Sequence, residues 1–322
     1  MSRPRLSFLN IAIAAVGIAL LVFTVRQAGG WTTIAAGFAA VGWWFAAVVL
    51  LGAFRMVCRT RAWLICAAEP RLPFADAFRA WIASDAVGNL TPLGLLASEP
   101  TKILMARAKI STVSAVASVT IENLFYSASV CVMLLGGIWL FMRRAAVPEG
   151  LQEISELILV AVVIATMIAI WAIRTRPAVL STFAPIVSRL AGKSHAPADA
   201  IREVEALIYA APRWPAAKLL RVAAWEGMFH VAAVTEVWLV LRLLVPHVTL
   251  AEAFLLETAG RFITVAFKFV PYRLGIDEAG SGAVAAVIGF SPATGVTLAL
   301  TRRLRIIVLN AVGLVPLVSS TR

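Results

Sequence analysis

An interrupted apolar segment occurs twice in this chain. Phe74-Ala75-Asp76-Ala77-Phe78 and then Pro92-Leu93-Gly94-Leu95-Leu96-Ala97-Ser98-Glu99 return as Leu250-Ala251-Glu252-Ala253-Phe254 and then Pro271-Tyr272-Arg273-Leu274-Gly275-Ile276-Asp277-Glu278. Each copy leads through Ile110-Ser111 or Phe290-Ser291 into a long apolar run. Pro cannot continue a helix and Gly lets the chain turn, so each copy predicts a helix broken at its middle. In a membrane, repeated broken helices predict two pseudo-symmetric halves that meet around one site.

The membrane setting comes from composition. Hydrophobic residues make up 61% of the chain and charged residues 14%, and mean hydropathy is +0.89, far from the globular range. Apolar runs of spanning length occur at about 6–24, 34–56, 112–142, 154–173, 219–244 and 293–317, which predicts six spans. The first is longer than a signal-peptide core and is read as a retained span. Segments at about 75–106 and 251–288 are apolar but interrupted, and are read as re-entrant hairpins; a single kinked span each is the competing reading.

With the N-terminus in the cytoplasm, eighteen basic residues fall inside and only Arg26, Arg143 and Arg144 outside. The inside set counts Arg55, Arg59 and Lys102 as loop charges. This bias absorbs most of the net +12 without a nucleic-acid partner and suits an anionic leaflet. It also makes the repeat inverted, because the hairpins then enter from opposite sides. The polar stretch at about 174–221 carries an amphipathic helix, with Ile201, Val204 and Ile208 on one face, expected on the cytoplasmic surface. Gly192-Lys193-Ser194 resembles the end of a phosphate loop but lacks its leading Gly and its strand, so no nucleotide site is expected.

Charges inside apolar segments are expensive and mark partners or wet cavities. They include Asp85, Glu99, Glu122, Glu226, Glu236, Glu257, Arg261, Lys268, Arg273, Asp277, Glu278, Arg302, Arg303 and Arg305. Glu226, Glu236 and Arg242 stand isolated and read as structural or interfacial. In each hairpin Ser98 or Asp277 is expected to cap a new helix starting at Glu99 or Glu278, whose free N–H groups attract an anion such as a lipid phosphate; plain capping is the simpler alternative. An offset of 180 aligns Ser111 with Ser291, Glu122 with Arg302 and Asn123 with Arg303. Glu122 is therefore expected to approach the Arg302–Arg305 face across one polar path. Cys58, Cys66 and Cys131 and the scattered His195, His230 and His247 have no metal-ligand spacing.

The run Gly88–Gly94 with Glu99-Pro100, Ile103–Arg107 and Glu122-Asn123-Leu124, together with Pro271–Ala279 and Arg303-Leu304, resembles the flippase-like family. That family includes the transmembrane domain of lysylphosphatidylglycerol synthase and hopanoid-associated membrane proteins. The chain departs from it at Tyr272-Arg273, where Gly-Gly is usual, and at Asn123, where Arg is usual. The resemblance does not carry the usual aminoacylated cargo over to this cavity, and the synthase's soluble transferase domain has no counterpart in these residues.

The resulting expectation is an all-α polytopic membrane protein, one integral membrane domain over 1–322. It has six transmembrane helices plus two oppositely oriented re-entrant hairpins, in repeat halves of about 74–142 and 250–317. Both termini are expected in the cytoplasm of a bacterial inner membrane. The function expected is translocation of a polar or anionic phospholipid, or a polyprenyl or hopanoid lipid, without catalysis, cofactor or metal; a homo-oligomer is left open. The lipid site is expected at Pro92, Gly94, Glu99, Lys102, Glu122, Pro271, Arg273, Gly275, Asp277, Glu278, Arg302, Arg303 and Arg305. Competing readings are an intramembrane head-group or polyprenyl-phosphate transferase, and a non-catalytic partner in lipid biosynthesis.

Overall fold

The computed structural model describes residues 3–69, 71–91, 94–143, 149–182, 198–267 and 273–319. Among them the regular structure is helical, with no strand. In chain order the helices are α1 (Arg3–Gln27), α2 (Gly30–Val41), α3 (Phe45–Cys66), α4 (Phe74–Leu90), α5 (Gly94–Ala106) and α6 (Thr112–Met142). There follow α7 (Glu149–Thr175), α8 (Ala198–Ala210), α9 (Ala216–Leu244), α10 (Leu250–Ala266), α11 (Ile276–Val287) and α12 (Pro292–Ser319).

Among the described residues three helices are apolar and long enough to cross a bilayer: Gly30–Cys66, α6 and α9. The first of these is α2 and α3 joined by the 3-10 turn Gly42–Trp44. Shorter apolar stretches occupy Ala15–Gln27 and Leu159–Thr175, and α12 is interrupted by Arg302, Arg303 and Arg305. Trp43, Val132, Leu157 and Leu220 point outward while Glu122, Glu226, Glu236, Glu257 and Glu278 are buried. This inside-out distribution belongs in lipid, where apolar surface costs nothing and charge must face protein or a wet cavity. The chain is a multi-pass membrane protein.

Both broken segments are present. α4 and α5 form one helix pair, and α10 and α11 form the other, at the places the Pro and Gly residues predict. Pro92 and Pro271 themselves, with Lys268 and the Gly192-Lys193-Ser194 stretch, lie outside the described residues. The two pairs close differently. A Cβ on Gly94 would strike the carbonyl oxygen of Gly88, so the first pair closes on itself. Gly275 has φ 78°, and a Cβ there would stand 2.6 Å from the Gly17 oxygen and 2.8 Å from Leu20 Cβ, so the second pair closes on α1.

The helices that follow start alike. Ser111 Oγ accepts from Ser114 N at 3.1 Å ahead of α6, and Ser291 Oγ accepts from Thr294 N at 3.3 Å at the start of α12. α3, which precedes the first pair, packs along α9, which precedes the second.

Two expectations are corrected. The second span does not end at residue 56, because α3 continues to Cys66 with Arg55 and Arg59 buried inside the protein rather than released to a cytoplasmic loop. Hydropathy ended the span at arginines whose charge is met by carboxylates of other helices. The apolar face of α8 does not rest on a membrane surface: Val204 is buried, and Ile208 packs on Ala62, Cys66, Ile121 and Val222 of α3, α6 and α9. Glu205 of α8 accepts from Leu180 N at 2.6 Å and Ser181 Oγ at 2.7 Å, which ties this helix further to the chain before it.

Candidate functional site

Two ion clusters form along α9, at Glu226 and Glu236. A step of ten residues separates them, about 15 Å along the helix. At Glu236, Oε2 accepts from Arg55 of α3 at 3.1 Å and from Arg305 of α12, while Oε1 lies 3.5 Å from Arg302 Nε. Arg302 also reaches Glu257 Oε2 of α10 at 2.7 Å. Glu257 Oε1 in turn accepts from Nε and a terminal nitrogen of Arg261, one turn along, at 2.9 and 2.8 Å. Arg55, Arg261, Arg302 and Arg305 thus face Glu236 and Glu257, an excess of two positive charges.

The balance at Glu226 is the reverse. Arg59 Nε lies 2.5 Å from Glu122 Oε1 of α6 and 3.8 Å from Glu226 Oε1. One guanidinium serves two carboxylates that are 0% and 1% exposed. Aromatic rings join the clusters: Phe229 lies 4.6, 5.0 and 5.7 Å from the Cζ atoms of Arg55, Arg261 and Arg59. Tyr126 carries Arg59 over its ring at 3.6 Å, and its hydroxyl accepts from Arg261 at 3.0 Å.

The clusters border one cavity of about 770 Å³. Its wall includes Arg55, Arg59, Lys102, Arg261, Arg273, Arg302, Arg303 and Arg305, against the acids Asp85, Glu99 and Asp277. Glu122, Glu226, Glu236, Glu257 and Glu278, each 1% exposed or less, stand behind that wall rather than on it. Eight cations and eight anions cancel over the whole set, so the protein can bury it. Radially they do not cancel: the inner surface shows mainly guanidinium, which draws anions. Another part of the wall is apolar, where Val130, Leu134, Val162 and Phe262 of α6, α7 and α10 pack together.

Of the expected site residues, Glu99, Lys102, Arg273, Asp277, Arg302, Arg303 and Arg305 line this single cavity. Lys102 Nζ lies 3.1 Å from Glu99 and 3.7 Å over Trp81. Arg303 holds both oxygens of Glu278, at 2.7 and 2.9 Å, and Arg273 Nε donates to Asp277 at 3.0 Å. Gly94 and Gly275 begin the second helices of their pairs.

Three site expectations change. Glu122 does not approach Arg302 or Arg305; α6 lies against α3 at that level, so its partner is Arg59. Ser98 and Glu99 do not start a helix, because α5 begins at Gly94 and Ser98 sits a turn inside, packed on Gly88. In the second pair the cap is Gly275 rather than Asp277, and Glu278 Oε2 accepts from Gly275 N at 2.8 Å. That helix end is served by its own carboxylate, so the anion-attracting groups are the arginine side chains.

Glu226 and Glu236, expected as isolated or interfacial, are central, whereas Arg242 does sit at the end of α9, donating to the Pro246 carbonyl. Arg55, Arg59, Tyr126 and Phe229 were not expected in the site. A signal for the first two was present: spaced by four, they share one face of a helix that nothing interrupts before Cys66. Asp85 was noted only as a buried charge; it lines the cavity and accepts from Asn89 at 3.1 Å, which also donates to Asn310 of α12 at 3.2 Å.

Residues 7–313 match the family described as lysylphosphatidylglycerol synthase TM region. No curated protein and no solved structure matches the chain.

Proposed function

The chain belongs to the lysylphosphatidylglycerol synthase transmembrane-region family, and from that premise we propose that it moves an anionic phospholipid between the leaflets of a bacterial inner membrane. The observation that carries this reading is the cavity wall, cationic where the Glu236 cluster borders it and apolar at Val130, Leu134, Val162 and Phe262. An amphiphile matches both parts: phosphate on guanidinium, acyl chain on the aliphatic wall. A volume of about 770 Å³ suits a head group with the first part of its chains.

Arg302 is the natural first contact. Its side chain is 20% exposed, against 10% or less for Arg55, Arg261 and Arg305. Glu257 and Glu236 hold its guanidinium in place, so a phosphate is met by a donor already oriented. The protein acts as a translocator and makes no covalent change in the lipid. The polyprenyl and hopanoid lipids share the amphiphilic form and remain cargo classes for the same test.

The arrangement supported is six spans with α4–α5 and α10–α11 as oppositely oriented re-entrant hairpins and both termini in the cytoplasm. Removing the buried Arg55, Arg59 and Lys102 from the charge count leaves fifteen basic residues inside against three outside, so the orientation argument survives its correction. Reconstitution into liposomes with fluorescent phosphatidylglycerol tests the reading. Transbilayer movement of unaltered lipid is expected; a new lipid product would make the protein a transferase, and neither movement nor product would leave it a structural partner.

A further inference from the structure

The charge excess at Glu122 and Glu226 has no counter-ion among the described residues. Both carboxylates are fully buried, and no oxygen of either accepts a well-formed hydrogen bond; the contacts are the ion pairs to Arg59. Other cations nearby are engaged. Lys102 of α5 is bound to Glu99 and seated over Trp81, and Arg261 of α10 holds Glu257 and the Tyr126 hydroxyl. Beyond these, the thiols Cys58 and Cys66 of α3 lie near Glu226, and Lys218 of α9, beside Cys66, is seated 3.5 Å over the Trp214 ring. On α9 itself, His230 is paired with Ser129 Oγ at 2.9 Å. None of these supplies the second positive charge.

An uncompensated carboxylate in a protein interior is relieved most cheaply by a proton. We infer that Glu122 and Glu226 share one bound proton across Arg59, and that occupation of the cavity by a lipid anion is coupled to the binding of that proton. The coupling rests on the lipid reading above and on one placement: Arg59 lines the cavity, whereas neither carboxylate does. An anion close to Arg59 draws on the charge that otherwise serves the two carboxylates, which raises their affinity for a proton. Reciprocally, a proton on the pair frees Arg59 to attract the anion. The chemistry is protonation alone: water gives up one proton, one carboxylate oxygen gains an O–H bond, and no electrons move. The pair titrates as a unit, so the proton is assigned to both residues together. A pH difference across the bilayer then drives lipid movement.

Two measurements on the full-length protein in detergent test this. Infrared difference spectra of wild type against Glu226→Gln and Glu122→Gln at neutral pH should show a protonated-carboxyl carbonyl band in wild type that either substitution removes. Absence of that band in wild type, or its survival in both variants, overturns the shared proton. Calorimetric titration with dihexanoyl-phosphatidylglycerol, at an alkaline pH where the lipid-free protein has lost that band and in two buffers of different ionisation enthalpy, reads coupling. Wild type should take up close to one proton per lipid bound, whereas Glu226→Gln, whose neutral side chain imitates the protonated pair, should bind at least as tightly as wild type with no uptake. Binding with equal heats in both buffers overturns the coupling even if the band is present. Failure of wild type to bind sinks the lipid reading and the coupling with it, while the infrared band still decides the proton site.

Discussion

The two halves of the molecule set similar parts in the same order with their charges exchanged. In the first, α3 supplies Arg59, fifteen residues ahead of the α4–α5 pair, and α6 answers with Glu122. In the second, α9 supplies Glu236, fourteen residues ahead of the α10–α11 pair, and α12 answers with Arg302 and Arg305. Glu122 and Arg302 each follow their capping serine by eleven residues, about 16 Å along the helix. One frame therefore carries an acid-rich cluster in one half and a base-rich cluster in the other. Two equal halves would give a cavity of one sign, costly to bury and indifferent to direction. The exchange balances the formal charges over the two halves and gives the two ends different ligands.

The largest effect expected is from Glu236→Gln. It leaves Arg55, Arg302 and Arg305 without their shared carboxylate and should cost about 3–5 kcal/mol of stability, measured by thermal unfolding in detergent. Glu122→Gln should cost far less, because it removes an excess charge instead of creating one. Equal losses would break the comparison between the halves.

Arg302→Gln should slow lipid translocation about 10- to 150-fold, the loss of one charge-assisted bond worth about 1.5–3 kcal/mol. Glu257→Gln, which removes the carboxylate left behind by that change, should restore folded yield to the double variant but not transport. Rescue by Glu122→Gln instead would bring Glu122 and Arg302 into contact and erase the separation of the clusters.

Gly275→Ala should destabilise by about 1–3 kcal/mol, since φ 78° strains any side chain and the new methyl meets Gly17 of α1. Gly94→Ala loosens α4 from α5 and should show instead as faster labelling of cysteines placed on that pair. A Gly275→Ala protein as stable as wild type would mean that the second pair is not anchored on α1.

Smaller still, Ser111→Ala and Ser291→Ala should each cost about 1 kcal/mol in thermal unfolding, as matched helix caps. The first half has an additional link. Glu69, between α3 and α4, accepts from Ser111 N at 3.2 Å, and hydrogen bonds from the Ser111 side chain and backbone hold its carboxyl below the usual range. A lowered folded value means that this contribution is present above the ordinary carboxylate range and fades as pH falls through the lowered value. Glu69→Gln should remove a small acid-side dependence of thermal stability. The same slope in the variant would assign it elsewhere.

Much of the frame was readable from local chemistry. Proline and glycine mark both helix breaks, serines set the matched caps, and unbroken apolar runs announce the long helices; each is decided within a few residues. Even the 180-residue offset that aligns Ser111 with Ser291 could be read without coordinates. The partners could not. Hydropathy scores every arginine as a cost, so Arg55 and Arg59 looked like the end of a span, although Glu236 and Glu122 meet them inside the protein. Pseudo-symmetry brought Glu122 toward Arg302, but a repeat says nothing of how far each helix turns about its axis or which neighbour stands at its level. Those are set by packing: α6 against α3, and α12 against α3 and α9, decide which carboxylate a long guanidinium arm finds. The chain alone determined that a membrane protein would carry buried charges near two broken helices. Only the tertiary structure decided how those charges pair, because an ion pair between distant segments depends on distance in space and not on spacing in sequence.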